Sequence, residues 1–338
     1  MRLVSYLRKE KDRIGIVVNN KIYDLSKAAA SIDIELPGRM RKFLKNWEAN
    51  SALARQVADA IKLGKVKEDF SVNEPKLLAP VPKPTSCRDG YAFRQHVATA
   101  RRNRGVEMIP EFDQFPVFYF TNHNAVFGEG DVYVEKDHLD KLDFELECAV
   151  VIGKKGINIP AEIADDYIAG YMIMNDLSAR TLQMEEMKLN LGPAKGKDFA
   201  TTIGPYLVTP DELEPYLIDT PYGKKYNLSM KAYHNGKQVS SGNLKDMDWT
   251  FAQIIERASY GVELLPGDVI GSGTVGTGCY LELNGTGMLE AKQKGESYSP
   301  VWLNDGDIIE LEIDGLGKLS NRIVKKEEEY SILSKKKN

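Results

Sequence analysis

Apolar and polar positions follow two different periods in the first quarter of the chain. Short apolar runs predict strands over residues 2–7, 14–18 and 21–25. Over 40–47 and 52–63, apolar residues recur three and four positions apart, which predicts helices. We therefore expect a small α+β unit at the start of the chain.

A proline-rich segment follows this unit. Pro80, Pro82 and Pro84 lie within five residues, and proline continues neither a helix nor an internal strand. A chain of 338 residues is long enough for a small and a large domain. We predict a small N-terminal cap domain over 1–78 and a catalytic domain over 79–338.

The pattern after this segment changes to short runs rich in Val, Ile, Tyr and Leu, punctuated by Gly and Pro. Runs of this length predict strands, over 144–152, 167–174, 226–233, 268–272, 279–283 and 307–313. Helical spacing is found over 91–103 and 248–256. The fold class that follows is α+β and β-rich, with an antiparallel large domain that closes on itself.

Charge and composition narrow the class of partner and compartment. The net charge of −4 and pI near 5.8 argue against nucleic-acid binding. No apolar stretch approaches the length of a membrane span, and the first residues lack the apolar core of a signal peptide. Cys87, Cys148 and Cys279 have no paired spacing and are interpreted as free thiols. We expect a cytoplasmic protein with no membrane partner.

An acidic run is the most informative local pattern. Asp143, Glu145 and Glu147 would share one face of a strand, because strand side chains alternate. Three neighbouring carboxylates repel each other and raise each other's pKa unless a cation neutralises them. A hard divalent ion such as Mg²⁺ would do so. A solvated strand face with a lysine counter-ion explains the pattern equally well, and the strand alone does not decide between them.

Three further residues have both a functional and a structural interpretation. Asp176 follows the buried run 170–174, where it is either a site residue or a turn residue. Asp89 precedes the helix predicted over 91–103, and the local pattern favours a helix N-cap. His96 would be a general base near neutral pH if a carboxylate oriented it, although a lone histidine is more often structural.

Lys197 and Thr201 belong to a glycine-punctuated loop, and Glu282 is a single charge in an apolar run. The loop lacks the spacing of a nucleotide phosphate-binding loop, so its lysine is available for a carboxylate or a metal-bound anion. A solvated loop is the favoured local interpretation. For Glu282, an outward side chain on the strand predicted over 279–283 is favoured.

Taken in order, these patterns resemble the fumarylacetoacetate hydrolase family from about Pro82 to Asn321. Each motif is weak alone, and together they outweigh the local structural interpretations. The motifs are Asp-x-Tyr-x-x-Arg-Gln-His at 89–96, Glu-x-Glu at 145–147, Asn-Asp-x-Ser-Ala-Arg at 175–180, Gly-Pro-x-x-Gly-Lys-x-Phe at 192–199, and Ser-Gly-Thr at 272–274 followed by Glu282.

The resemblance implies a mixed β-roll C-terminal domain and a role for each matched residue. It implies that Mg²⁺ or Ca²⁺, with Mn²⁺ as a further option, is held by Asp89, Glu145, Glu147 and Asp176. It implies that Lys197, also expected to act in catalysis, and Thr201 lie around this metal. His96 and Glu282 match a water-activating pair. The matched substrate-binding positions are Tyr91, Tyr119, Arg180, Gln183 and Thr274.

The activity that the resemblance implies is hydrolysis of a carbon–carbon bond in a 1,3-dioxo acid, of fumarylacetoacetate or acylpyruvate type, in aromatic catabolism. A 2-oxo acid decarboxylase, dehydratase or isomerase is the alternative, and a non-catalytic binding protein is a third. The resemblance also implies a homodimer. Two departures concern the substrate: the register of an arginine within 101–104 is open, and no tyrosine follows Gln183 in the stretch 184–188.

Overall fold

The computed structural model describes residues 1–67, 71–72, 75–328 and 330–337. The remaining positions of the two predicted domain ranges lie outside the described residues. Its strands are β1 (Arg2–Arg8), β2 (Lys11–Val18), β3 (Lys21–Asp24), β4 (Ser71–Val72), β5 (Lys76–Leu78), β6 (Cys87–Gly90), β7 (Phe118–Thr121), β8 (Val126–Phe127), β9 (Gly130–Val134), β10 (Leu142–Asp143), β11 (Leu146–Ile152), β12 (Ile168–Asp176), β13 (Ser178–Ala179), β14 (Thr201–Val208), β15 (Leu217–Thr220), β16 (Gly223–Tyr226), β17 (Ser229–His234), β18 (Lys237–Asn243), β19 (Val269–Gly271), β20 (Ile308–Ile313) and β21 (Gly317–Lys325).

Helices α1 to α3 belong to the N-terminal part of the chain, and the remaining helices lie in the connections between later strands. They are α1 (Leu25–Ala30), α2 (Met40–Leu44), α3 (Trp47–Lys62), α4 (Arg94–Asn103), α5 (Ala161–Ala164), α6 (Arg180–Met187), α7 (Phe251–Ser259) and α8 (Tyr280–Lys294). Short 3₁₀ turns occur at Pro110–Asp113, Lys136–Leu139, Asp165–Tyr167, Pro210–Tyr216, Leu244–Asp246 and Leu333–Lys335. No helix in the described part of the chain is long and apolar enough to cross a membrane.

Two sheets organise the molecule. The larger has the strand order β4-β3-β2-β1-β14-β12-β11-β19-β6-β7, with β5 paired to β1 and β8 paired to β14. The smaller has the order β18-β17-β20-β21-β9, and two short two-stranded pairs, β10-β13 and β15-β16, stand apart. The predicted α+β, β-rich fold class is confirmed.

The expectation of an antiparallel domain closed on itself is wrong in two respects. The pairs β19–β6, β14–β8 and β21–β9 are parallel. Within the described residues the larger sheet is open, with β4 and β7 at the two ends of its path. Alternation of side chains along a strand indicates which face is buried, but it does not indicate the direction of the neighbouring strand. The parallel pairs could therefore not be predicted from the pattern of apolar residues.

Strand β11 lies at the centre of the large sheet and is buried on both faces. Cys148 and Val150 belong to the core shared with the smaller sheet, whereas Ala149 and Val151 belong to the core shared with helices α1 to α3. The large sheet is therefore a middle layer between the smaller sheet and the N-terminal helices. A strand buried on both faces gives a continuous apolar run, as residues 148–152 of β11 do.

The N-terminal strands are part of the same sheet as the centre of the molecule. β1 pairs with β14 through Arg2 and Leu3, and the predicted cap thus shares main-chain hydrogen bonds with the predicted large domain. The boundary at Leu78 stays a prediction. The three cysteines are buried and free of disulfides, as predicted.

Several predicted elements shift at their ends, and one changes type. The helix predicted over 248–256 begins at Phe251, because Thr250 caps it by accepting a hydrogen bond from the Gln253 N–H. The stretch 279–283 was predicted as a strand and is the first turn of α8. Gly285 and Gly287 lie in that helix and lower its helix propensity, so the local pattern does not indicate a helix there.

Candidate metal centre and active site

Acidic side chains from three strands of the large sheet meet at one place. Asp89 lies on β6, Glu147 on β11 and Asp176 at the end of β12, while Glu145 immediately precedes β11. Oxygen atoms of Asp89, Glu145 and Glu147 all lie within 4.8 Å of one another. Asp89 is therefore a strand residue, and the interpretation of it as a helix N-cap is wrong.

Gly271 on β19 leaves the space between these carboxylates open. It lies directly opposite Asp89 in the parallel pair β19–β6. A Cβ atom at this position would lie 2.4 Å from Oδ1 of Asp89 and 3.0 Å from Oε2 of Glu147. Any other residue would fill the space that the carboxylate oxygens surround.

Burial makes this cluster electrostatically unfavourable when it contains carboxylates alone. Desolvation, with a contribution from the charge of Asp176, raises the pKa of Asp89 to about 7. Burial and the neighbouring Asp89 raise the pKa of Glu147 well above its usual range. For Glu145, burial also acts to raise the pKa, but Lys197 and Arg180 outweigh it and hold the value near 2.

Two buried cations already compensate part of the charge. Nζ of Lys197 lies 2.5 Å from Oε2 of Glu145 and 2.8 Å from Oδ2 of Asp176. Nη2 of Arg180 donates to Oε1 of Glu145 at 2.8 Å. Burial acts to lower the pKa of both cations, but the carboxylates around them raise it, so both remain charged.

The oxygen donors that remain fit a hard divalent cation. Oε2 of Glu147 and Oδ1 of Asp176 are buried with no hydrogen-bond partner, although buried acceptors are normally satisfied. Two cations, Lys197 and Arg180, face five buried carboxylates, namely Asp89, Asp143, Glu145, Glu147 and Asp176. An all-oxygen donor set of this charge suits Mg²⁺, Mn²⁺ or Ca²⁺.

A histidine and a glutamate form a buried pair beside this cluster. His96 is on α4 and Glu282 is in the first turn of α8, and Nδ1 of His96 lies 2.7 Å from Oε2 of Glu282. The other carboxylate oxygen accepts the Thr277 N–H at 2.9 Å. Because both oxygens are engaged, the orientation of the carboxylate is fixed, and it fixes the imidazole in turn.

The close approach of α4 and α8 makes this pair possible. A Cβ at Gly285 would lie 2.5 Å from Nδ2 of Asn103, so a larger residue would push the helices apart. The same Asn103 amide donates to the Glu282 carbonyl at 3.0 Å. Gly285, one of the two glycines that obscured α8 in the sequence, therefore has a packing role between α4 and α8.

Asp143 does not belong to the metal cluster, although alternation grouped it with Glu145 and Glu147. The strand is interrupted between β10 and β11, so alternation does not continue across residues 144–145. Its two oxygens accept the N–H groups of Tyr280 at 2.7 Å and Leu281 at 2.9 Å, at the start of α8. The carboxylate also accepts from Nε of Arg180 at 2.8 Å. Asp143 thus links the start of α8, which carries Glu282, to Arg180, which contacts Glu145.

A cavity of about 560 Å³ opens onto the cluster and the histidine. Nine of the predicted site residues line it, namely Asp89, Tyr91, His96, Tyr119, Glu145, Arg180, Gln183, Lys197 and Thr274. The other predicted residues, Glu147, Asp176, Thr201 and Glu282, are buried behind the lining. All thirteen are thus brought to one region, nine of them by five separate strands and three helices and the other four by connecting segments.

Contacts within this region connect the predicted substrate-binding residues to the cluster. The Tyr119 hydroxyl donates to Oδ2 of Asp176, and Thr274 donates to Oε1 of Glu147 at 3.4 Å. Thr201 is the register partner of Asp176 across β12 and β14. Gln183 accepts from Nη1 of Arg180 at 2.9 Å, one helical turn away on α6.

Sequence reasoning missed several lining residues and one neighbour of the histidine. Arg101 and Arg104 both line the cavity. Two arginines of the stretch 101–104 are therefore candidates for the substrate contact whose register was open. Met184 and Met187 line it where a tyrosine was expected. Sγ of Cys279 lies within 4.8 Å of ligand atoms of His96 and Glu282. Burial raises the pKa of this thiol well above its usual range, so it stays protonated and is a poor metal ligand.

Comparison with known proteins gives a family model and full-length relatives. The model described as "Fumarylacetoacetate (FAA) hydrolase C-terminal" matches residues 85–324. Oxaloacetate tautomerase YisK of Bacillus subtilis is 32% identical over 324 residues, which cover 92% of this chain and 95% of the relative. The mitochondrial oxaloacetate tautomerase fahd2 of Xenopus laevis is 30% identical over 330 residues, covering 96% and 90%.

One solved structure of the same fold carries a metal. Maleylpyruvate hydrolase from Sphingobium sp. SYK-6, in complex with manganese(II) ion and pyruvate, superposes with a TM-score of 0.66 at 22% identity. The match covers 96% of this chain and 99% of that one. At this identity the likeness establishes the fold.

Proposed function

Because the chain belongs to the fumarylacetoacetate hydrolase family, we propose that it is a metal-dependent enzyme that interconverts the keto and enol forms of a small 2-oxo acid. The observation that carries this proposal is the buried His96–Glu282 pair at 2.7 Å, on the wall of a cavity that also exposes the carboxylate cluster. Keto–enol interconversion needs one base that moves a proton at carbon and one centre that stabilises charge on oxygen.

The residues that would hold the cation are Asp89, Glu145, Glu147 and Asp176. Their support is the unpartnered oxygens of Glu147 and Asp176 and the space preserved by Gly271. A divalent cation bound there would supply Lewis-acid stabilisation of negative charge on the substrate's carbonyl oxygen.

His96 is the residue that moves the proton. Its Nδ1 faces Glu282, and a carboxylate partner keeps the proton on Nδ1, which leaves Nε2 as the acceptor. Nε2 would take a proton from the carbon next to the carbonyl group. The imidazolium formed is stabilised by Glu282. It would then give the proton to the enolate oxygen, directly or through a water molecule, which completes the enol, and the reverse sequence returns the proton to carbon.

Polar residues around the cavity would bind the acid. Arg180 and Gln183 are fixed to each other at 2.9 Å, and Lys197 is fixed to the cluster, so their donors are preorganised. Arg101 and Arg104 line the same cavity, and a guanidinium would bind the second carboxylate of a dicarboxylic 2-oxo acid. The full-length relatives named as oxaloacetate tautomerases support a substrate of this class.

Hydrolysis of a carbon–carbon bond in a 1,3-dioxo acid is the second candidate, and the same histidine pair favours it. His96 would take a proton from water, and the hydroxide would add to the carbonyl carbon remote from the 2-oxo acid. The bond between that carbon and the central carbon then breaks. Its electron pair passes to the central carbon, which takes up a proton, giving a carboxylic acid and a 2-oxo acid.

One experiment separates the two candidates. We would follow the enol absorbance of oxaloacetate and of an acylpyruvate with Mg²⁺, with Mn²⁺ and with chelator, and assay pyruvate release in parallel. Enol decay without release of pyruvate supports tautomerisation, whereas stoichiometric pyruvate release from the acylpyruvate supports hydrolysis. If the metal-bound protein shows neither tautomerisation nor hydrolysis, both candidate functions are refuted. Tautomerisation that persists unchanged in chelator would refute the role of the metal.

The homodimer stays a prediction. Exposed apolar side chains near the cavity mouth support it, since a single chain leaves them in water: Val117 is 44%, Met187 42%, Leu189 80% and Leu191 91% exposed.

A further inference from the structure

A second cavity, of about 470 Å³, lies in the N-terminal part of the chain and shares no lining residue with the active-site cavity. Five cationic side chains line it together with one carboxylate and four apolar residues. The cations are Arg39, Arg41, Lys42, Lys45 and Lys83, the carboxylate is Asp12, and the apolar residues are Leu7, Leu78, Val81 and Pro82.

Separate elements bring these residues together. Leu7 and Asp12 are register partners in the β1–β2 hairpin, so their side chains share one face of it. On α2, Phe43 and Leu44 are buried, while Arg41 and the C-cap residue Lys45, four positions apart, remain exposed on the cavity side. Lys83 comes from the proline-rich segment that precedes β6.

The cavity has an excess of positive charge. Its one carboxylate, Asp12, pairs with Arg39 at 3.4 Å. Within the described residues, no ion pair occurs for Arg41, Lys42, Lys45 or Lys83. This concentration is unusual in a chain whose net charge is −4. Four uncompensated cations around one concavity repel each other and attract a multiply charged anion.

We propose that this cavity binds a small polyphosphorylated compound of the size and chemistry of a nucleoside diphosphate. The phosphates would face the cations, because lysine and arginine bind phosphate oxygens with charge-assisted hydrogen bonds. The less polar part would rest on Leu7, Val81 and Pro82. The volume falls within the range of about 300–1,000 Å³ that is typical of small-molecule sites.

Two other anions fit less well. A dicarboxylic 2-oxo acid would leave half of the four unpaired cations uncompensated. Single-stranded nucleic acid is bound mainly by stacking bases on aromatic side chains, and none of the described residues that line this cavity is aromatic. A compact polyphosphate with an attached ring matches both the charge and the apolar floor.

Calorimetric titration of the full chain in chelator, with ADP and with inorganic pyrophosphate, tests the site. The double variant Arg41→Gln/Lys45→Gln should weaken ADP binding at least 10-fold, and Lys83→Gln alone should weaken it by a smaller factor. The matched control is Arg101→Gln/Arg104→Gln, which removes the same charge from the active-site cavity and should leave ADP binding unchanged. Keto–enol turnover of the Arg41→Gln/Lys45→Gln variant should remain at the wild-type level, which shows that it is folded.

Three outcomes would overturn the proposal. The first is absence of ADP binding to the wild-type chain. The second is a loss of ADP affinity in the Arg101→Gln/Arg104→Gln control that equals or exceeds the loss in the double variant, since the anion would then lie in the active-site cavity. The third is binding of duplex DNA or of phosphatidylserine vesicles that depends on Arg41 and Lys45 and is tighter than binding of ADP, since the surface would then serve a macromolecule or a membrane.

Discussion

The carboxylate cluster and the His96–Glu282 pair lie side by side, but they are built differently. The cluster stands on strands of the central sheet, and its strand β11 is buried on both faces. The histidine pair is held between two helices at the rim, α4 and α8. Each carboxylate of the cluster changes the pKa of the others, whereas the hydrogen bonds of the pair run between His96 and Glu282 and from the Thr277 N–H to Glu282. The carboxylate cluster therefore titrates as a coupled unit, whereas His96 can be substituted without removing a ligand of the cluster.

The largest effect that would separate the two regions is expected for His96→Gln. Loss of the general base should lower turnover about 10²–10⁴-fold, while the cluster keeps every ligand. The measurement is enol decay together with calorimetric Mn²⁺ binding.

Glu147→Gln is the matched variant in the other region. It should weaken Mn²⁺ binding strongly, because it removes a charge from the ligand set. If His96→Gln weakens Mn²⁺ binding as much as Glu147→Gln does, the two regions are not independent and the comparison fails.

A smaller effect, in both regions at once, is expected for Asp143→Asn. The substitution removes one of the two carboxylate charges that Arg180 contacts and weakens the cap on α8. Removing one partner of a buried ion pair costs about 3 kcal/mol of folding stability or somewhat more. Because Asp143 does not itself line the cavity, turnover should fall through misplacement of Arg180 and Glu282, with kcat reduced and KM for the acid raised.

Urea unfolding and steady-state kinetics measure these two effects. The control is Asp131→Asn, which removes an exposed partner of Arg322 and should leave both stability and turnover nearly unchanged. Wild-type kcat and KM in Asp143→Asn, with stability lowered, would make Asp143 a purely structural residue.

The same contrast explains what could be predicted from the sequence. Glu145 and Glu147 stand out because charged residues alternate with an apolar run that continues into a buried strand. His96 and Glu282 are 186 positions apart, and no local pattern connects them. They were matched only through the family resemblance, while the local pattern of Glu282 suggested the wrong element.

Asp143 shows the limit of periodicity. The alternation that correctly pairs Glu145 with Glu147 does not extend to it, because the strand is interrupted at residues 144–145. Its partners, Arg180 and the first turn of α8, are 37 and 137 positions away. The capping role depends on long-range packing, which one sequence does not contain. Four of the five cations of the second cavity lie within residues 39–45, but Lys83 and the apolar lining come from other segments, so the concavity that brings them together depends on the same long-range packing.

The smallest and most specific effect concerns the pH dependence of stability in the metal-free protein. Burial, with the charge of Asp176, raises the pKa of Asp89 from 3.8 to about 7. Between these values the folded chain retains a proton that the unfolded chain has released. Stability is therefore highest at low pH in this window and falls as the pH rises through about 7, by at most about 1.4 kcal/mol per pH unit for one group.

Metal should reverse this trend, because a divalent cation binds the deprotonated oxygens and its stabilising effect grows with pH. Urea unfolding at pH 5, 6, 7 and 8, in chelator and in Mn²⁺, measures both slopes. Asp89→Asn should flatten the slope in chelator, whereas His96→Gln should keep the part that Asp89 contributes. If the stability of the metal-free protein is constant or rises from pH 5 to 8, burial of the cluster does not raise the pKa of Asp89, and this prediction is wrong. The carboxylate cluster and the His96–Glu282 pair would then differ in their position in the fold and not in their electrostatic coupling.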